Sequence, residues 1–181
     1  MGNTKLAASL GLPMNEAGVI LAKYHTDAPF VRAVSTKASE RANRRGYVMT
    51  IGGRRRRFEM WEKAKWQEDP PAPMRNKDEA VALWGAVRRA HTHKAANAIM
   101  QGSNADWIKK AMVDGVKAGV TDVLGMYLNT VYDELGLSIQ TGDPRHEEAS
   151  AEMKHIMTSA YKLNVPVLVS EGRGANWGLA G

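Results

Sequence analysis

Alternating apolar and polar residues over Leu128–Gln140 form the clearest pattern in the chain. From residue 135 to residue 139, large apolar side chains alternate with Gly136 and Ser138. A period of two is typical of a strand with one buried face. The pattern predicts a strand, a tight turn and a second strand, with Asp133 and Glu134 at the turn.

Two adjacent carboxylates at the tip of an otherwise apolar hairpin have two interpretations. Aspartate is common in turns, so Asp133 and Glu134 could simply form a polar turn. Carboxylates are also costly to desolvate unless a positive group compensates them. The alternative is a metal-binding carboxylate on a sheet, placed for phosphoryl chemistry.

Apolar residues recur at helical spacing through the first 45 residues. The pattern predicts helices over 3–10, about 15–25 and about 30–45, with Gly46 ending the third. Four apolar residues form the predicted inner face of the third helix: Phe30, Val31, Val34 and Ala38.

A basic hairpin is predicted next. Residues 47–51 favour a strand, Gly52–Gly53 is typical of a hairpin turn, and a returning strand carries Arg54, Arg55, Arg56 and Arg57. Seven arginines fall within 17 residues of this region. A solvated charged face is the simpler interpretation. Phosphates are the alternative, because the guanidinium fork matches two phosphate oxygens.

The pattern in the carboxy-terminal half of the sequence predicts an α+β arrangement, in which helices cover one face of a sheet. A proline-rich connector over 68–75 leads into a long helix over about 78–118, weakened near Gly102. After the hairpin predicted over 128–140, a helix over 147–161 and a strand over 165–170 are expected. Trp177, in the glycine-rich tail, is expected to dock into a groove.

Three neutral polar residues follow one another at helical spacing in the long helix. His93, Asn97 and Gln101 lie four residues apart, which places them on one stripe of an α-helix. Such side chains can read base edges in the minor groove. An ordinary polar face toward water is the alternative.

Composition narrows the function classes. The 181 residues contain no cysteine, which excludes disulfides, thiolate metal sites and a cysteine nucleophile, and fits a reducing cytoplasm. No apolar run is long enough to cross a membrane, so no membrane partner is expected. The net charge of +6 favours a polyanionic partner such as nucleic acid.

Several of these segments resemble the carboxy-terminal part of family A DNA polymerases. Residues 92–112, THKAANAIMQGSNADWIKKAM, are similar to the long palm helix with its N-x-x-x-Q-G-[ST]-x-A-D core. Residues 131–135, VYDEL, resemble the family's H-D-E motif. Residues 46–58 are similar to its G-Y-V-x-T-x-x-G-R-R segment, and residues 165–177 to its final strand and tail.

The resemblance implies an antiparallel palm sheet with a catalytic hairpin, a long palm helix and an amino-terminal helical fingers portion. It divides the chain into partial fingers over 1–75 and palm over 76–181. Asp133 would bind catalytic Mg²⁺ in a two-metal site, with Glu134 at its edge. The DNA primer–template would meet seven residues: Arg54, Arg55, Arg56, His93, Asn97, Gln101 and Tyr132.

The family also uses a second aspartate, in a D-x-S-x-x-E motif, and a nucleotide-binding fingers helix, R-x-x-x-K followed by Y-G. Neither motif occurs in these residues. We therefore expect a small carboxy-terminal subunit of a split polymerase, inactive until a larger chain supplies those motifs and most dNTP contacts. The alternatives are a non-catalytic nucleic-acid-binding module or an inert fragment.

Overall fold

A computed structural model describes residues 2–65, 70–139 and 142–180. The helices of these residues are α1 (Asn3–Leu10), α2 (Met14–Asp27), α3 (Pro29–Arg45), α4 (Lys77–Trp84), α5 (Ala95–Lys117), α6 (Val120–Leu124) and α7 (His146–Ser159). The strands are β1 (Tyr47–Met49), β2 (Arg55–Arg57), β3 (Trp61–Lys63), β4 (Val87–Arg89), β5 (Tyr127–Val131) and β6 (Glu134–Leu137). The strands pair as β1 with β2, β3 with β4 and β5 with β6.

The predicted α+β class is confirmed, with small two-stranded sheets in the described part of the chain. The chain forms two compact units, Met1–Val48 with Arg57–Ala96, and Met49–Arg56 with Asn97–Gly181. The predicted division at residue 75 concerns polymerase fingers and palm, and it stays a prediction. Of the described residues, no helix is both long and apolar enough to span a bilayer.

The three amino-terminal helices end close to the predicted positions, with α3 stopping at Gly46. Their contacts differ from the prediction. Ala17, Ala38 and Ala42 are buried, whereas Phe30 is 67% exposed and Val34 is 53% exposed. Small alanines allow the helices to approach one another closely, so the larger apolar side chains of α3 are left outside. The predicted inner face of the third helix is therefore wrong, except at Ala38.

The predicted helix over 78–118 is also wrong in its first half. Helix α4 ends at Trp84. Strand β4 then pairs antiparallel with β3, with Arg89 opposite Trp61. The Arg89 guanidinium lies 4.5 Å from the centroid of the Trp61 ring. This pairing overrides the helix preference of the alanine-rich segment, because propensity is a weak determinant beside tertiary contacts.

Helix α5 runs continuously through Gly102, where the sequence predicts a weakened or kinked helix. A Cβ atom at Gly102 would lie 2.5 Å from Thr50 Cγ2. The glycine therefore lets the loop after β1 lie directly on the helix. The steric reason for this glycine lies in the tertiary structure and not in the helix.

Gly102→Ala should destabilise the protein by about 1–3 kcal/mol, because the added methyl group overpacks the contact with Thr50. Its gain in helix propensity is only about 1 kcal/mol. Gly18→Ala in α2 is the matched control, since its Cβ would meet only Asn3 Nδ2, at 3.5 Å. The control should be neutral or stabilising in urea denaturation. Equal stabilisation by both substitutions would contradict the steric explanation.

The core of the second unit lies among α5, α6, α7 and the β5–β6 hairpin. Buried residues include Ala111, Leu124, Met153 and Ile156, and the hairpin packs Leu135, Leu137 and Ile139 against them. The predicted hairpin and its buried face are confirmed through Ile139; Gln140 lies outside the described residues.

The predicted strand over 165–170 is wrong, since these residues have no strand conformation. Pro166 has no backbone N–H to donate to a ladder. Leu168 is 90% exposed, so the run buries little of its apolar surface. A β-rich composition does not form a strand unless a neighbouring strand is available to pair with it.

Candidate functional site

The β5–β6 hairpin presents the two predicted carboxylates to solvent. Val131 pairs with Glu134, so Tyr132 and Asp133 form the turn and Glu134 begins β6. Tyr132 is 90% exposed and has a φ of 53°, a conformation that non-glycine residues rarely adopt. Asp133 and Glu134 are both exposed. The hairpin tip can therefore offer carboxylate oxygen to a ligand outside this chain.

Glu134 has a partner in the carboxy-terminal tail. The indole Nε1 of Trp177 donates a hydrogen bond of 3.0 Å to Glu134 Oε1. Trp177 is 60% exposed, so the predicted docking of this ring into a groove is wrong. The ring lies on the surface, where its N–H meets a carboxylate.

The donor set at the tip fits part of a Mg²⁺ site. Mg²⁺ prefers oxygen ligands and commonly combines one or two carboxylates with waters and substrate phosphates. Across residues 2–65, 70–139 and 142–180, no three metal-ligating side chains come together. The tip thus offers Asp133, with Glu134 beside it.

Two of the three residues of the predicted polar stripe lie on one helix, and the third does not. Asn97 and Gln101 lie one turn apart on α5, and both are exposed. His93 is not on this helix but in a 3-10 turn, Thr92–Lys94, within the first unit. The rings of His91 and His93 are 6.3 Å apart in an edge-on arrangement. The prediction of one helical stripe is wrong for His93 and stands for the other two residues.

The arginines of the basic hairpin lie in different positions. Arg54 forms an ion pair with Asp106, and its Nη2 donates a 3.0 Å hydrogen bond to the Gly102 carbonyl. Arg55 and Arg56 lie on the exposed strand β2. A phosphate contact stays a prediction for all three arginines.

Asp106, the last residue of the N-x-x-x-Q-G-[ST]-x-A-D core, was not among the predicted site residues. It is buried on α5 and accepts hydrogen bonds from the Thr50 hydroxyl and from the Gly52 backbone N–H, the latter 3.1 Å long. Burial raises the pKa of Asp106, but these bonds and the Arg54 pair outweigh burial, so the pKa lies below its ordinary value. The signal in the sequence is the place of Asp106 at the end of that core, within residues 92–112.

The described site combines three features: a long helix with exposed amides, a basic hairpin bound to it through Arg54, and a carboxylate-tipped hairpin that packs on the core of the same unit. The chain belongs to DNA polymerase family A, whose sequence model matches residues 1–179. The resemblance of the motifs to this family is confirmed.

Individual relatives agree with the family assignment. The chain is 33% identical to the thermostable DNA polymerase I of Thermus filiformis over 177 residues, which are 98% of this chain and 19% of that polymerase. It is 30% identical to the DNA-directed DNA polymerase of Pseudomonas phage M6 over 164 residues, which are 90% of this chain and 20% of that one.

A solved structure with a similar fold is the POL domain of Pol1 from M. smegmatis, in complex with a DNA primer-template and dNTP. Its TM-score is 0.74 at 28% sequence identity, covering 99% of this chain and 28% of that one. The chain therefore spans about a fifth of its polymerase relatives and about a quarter of this structure.

Proposed function

We propose that this chain supplies part of the active site of a DNA-directed DNA polymerase, with Asp133 as a ligand of catalytic Mg²⁺. The observation that carries the proposal is the exposed Asp133 in the turn of the β5–β6 hairpin, in a family A chain. Bound metal would stabilise charge on the attacking and leaving oxygens of nucleotidyl transfer. Asp133 would hold it, and Glu134 would stay at the edge of the site.

Primer–template binding is the second part of the proposal. Asn97 and Gln101 are exposed on α5, and their amide N–H groups suit the N3 and O2 acceptors of the minor groove. His93 and Tyr132 would lie near the primer end. The M. smegmatis structure, a complex with a primer-template and dNTP, supports these ligands for the family.

The template phosphates would meet the exposed strand β2. Arg55 and Arg56 can form paired hydrogen bonds with phosphate oxygens, and the net charge of +6 favours such contacts. Arg54 would act chiefly through Asp106, by fastening the hairpin to α5. Binding through these contacts should weaken steeply with added salt.

A second polypeptide would complete the enzyme. It would carry the other metal-binding aspartate, the nucleotide-binding helix and most contacts to dNTP. The first unit leaves many large apolar side chains exposed, and a partner polypeptide could cover them. These residues are Leu10, Met14, Val19, Ile20, Tyr24, Phe30, Val31 and Val34.

Reconstitution tests the proposal. The chain should be co-expressed with a polypeptide holding the remaining palm and fingers of a family A polymerase, and primer extension should be measured against each chain alone. We expect extension by the complex and none by either chain. Extension by the 181-residue chain alone would contradict the need for a partner. A complex that binds DNA without extending it would support a non-catalytic binding module.

A further inference from the structure

The segment that carries Trp177 is bound to helix α7 a few residues earlier, through Glu171 and Arg173. Arg173 forms two contacts with Glu147, Nη1 to Oε1 at 2.5 Å and Nη2 to Oε2 at 3.0 Å. Lys154 lies 2.6 Å from Glu171 on the same stretch of tail. Two side chains of α7 therefore bind the tail before it reaches Trp177.

The charges of this attachment persist at neutral pH. The hydrogen bond from Arg173 holds the pKa of Glu147 below its ordinary value. Hydrogen bonds from Arg173 and then Lys154 lower the pKa of Glu171. Both carboxylates thus remain ionised, and the attachment of the tail is electrostatic.

A tight turn then brings Trp177 to the hairpin. A Cβ atom at Gly174 would lie 2.5 Å from the carbonyl carbon of Leu179, so only glycine allows the chain to fold back this closely. The Leu179 N–H donates a 3.0 Å hydrogen bond to the Asn176 carbonyl across the turn. The indole of Trp177 is therefore presented by a folded segment.

We propose that Trp177 is a positioning residue that holds the Glu134 carboxylate at the hairpin tip, beside the metal ligand Asp133. The inference rests on the proposed function of Asp133. An indole N–H can only donate, so a carboxylate is a suitable partner for it. Glu134 is exposed, so its carboxylate is held by this hydrogen bond and not by burial.

The hydrogen bond from Trp177 affects which carboxylate oxygens can face a bound metal. Glu134 Oε1 is occupied by Trp177, which restricts the side chain, while the adjacent Asp133 stays available. Removing a side chain that hydrogen-bonds to a metal ligand commonly costs about 10–100-fold in metal affinity. Trp177 acts on the neighbour of the ligand, so an effect at the lower end of this range is expected. Loss of the indole donor should therefore weaken metal binding without removing a ligand.

The first measurement tests the contact itself. The full chain is labelled with 5-fluorotryptophan, and Trp177→Phe identifies the Trp177 line among the five tryptophans in the ¹⁹F spectrum. We expect Glu134→Ala to shift that line toward the position of free tryptophan. The neighbouring variant Asp133→Ala is the matched control and should leave it unmoved. A Trp177 line that ignores Glu134→Ala, or that moves equally in both variants, would overturn the proposal.

The second measurement tests positioning toward a metal. In the complex with the second polypeptide, 3-fluorotyrosine incorporated into this chain alone places a reporter at Tyr132. Mn²⁺ should broaden its line selectively, with the effect lost in Asp133→Asn. Trp177→Phe should raise the Mn²⁺ concentration needed for equal broadening by roughly tenfold. Leu179→Ala, in the same turn, should not change it.

The two proposals fail in different ways. Absence of selective Tyr132 broadening in the unsubstituted complex would remove Asp133 as a metal ligand, and with it the proposed function and this inference. Broadening that depends on Asp133 but is the same in Trp177→Phe would overturn the role of Trp177 alone.

Discussion

Replacing Asp133 with alanine should lower primer extension by the reconstituted polymerase by about a thousandfold or more. A metal ligand stabilises charge that develops in the transition state, and a thousandfold loss corresponds to about 4 kcal/mol of that stabilisation. Asp133 is exposed and lies in a turn, so its removal should leave the fold intact. The measurement is single-turnover extension of a labelled primer at saturating Mg²⁺.

The control for this result is a second exposed aspartate in the same unit. Asp122→Ala, in α6, should retain extension within about twofold, since exposed substitutions usually change little. DNA affinity should be equal in both variants and the parent chain. Extension that survives Asp133→Ala would exclude the metal role of this residue.

A large effect on stability is expected at Asp106. Asp106→Asn should destabilise the second unit by about 2 kcal/mol, because an amide nitrogen can face the Gly52 N–H and the Arg54 pair loses its charge. The cost stays below that of a fully buried pair, since Arg54 is 51% exposed and can be solvated. Amide hydrogen exchange at Gly52 and Arg54 measures the change locally.

Asp114→Asn provides the matched control on the same helix. Its ion pair with Lys110 spans one helical turn near the surface, where such pairs contribute about 0.3–0.5 kcal/mol. Exchange at Gly52 and Arg54 should be unchanged in this variant. Equal effects of the two substitutions would contradict the central role of Asp106.

The Asp106 contribution should also depend on pH. Its pKa in the folded protein lies below the ordinary value of 3.8, so folding favours the ionised carboxylate. The contribution is fully present above that value and is lost as the pH falls through the pKa of the folded state. The parent chain should therefore lose more stability on acidification than Asp106→Asn does.

Where the sequence prediction failed, the reason was a contact between distant segments. Nothing local shows that Val87–Arg89 pairs with Trp61–Lys63, so an alanine-rich stretch predicted one long helix. The role of Asp106 likewise depends on a loop 50 or more residues away, as its bond to Gly52 shows. Local periodicity carries no information about such partners.

The sequence by itself determined the family, the amino-terminal helices, the basic hairpin and the hairpin that carries Asp133, because turn residues and alternating patterns act over a few neighbouring residues. Only the tertiary structure decided that Arg54 binds Asp106, that His93 lies outside α5, and that Trp177 meets Glu134. These pairings join segments far apart in the chain, so they depend on how the elements pack and not on any local preference.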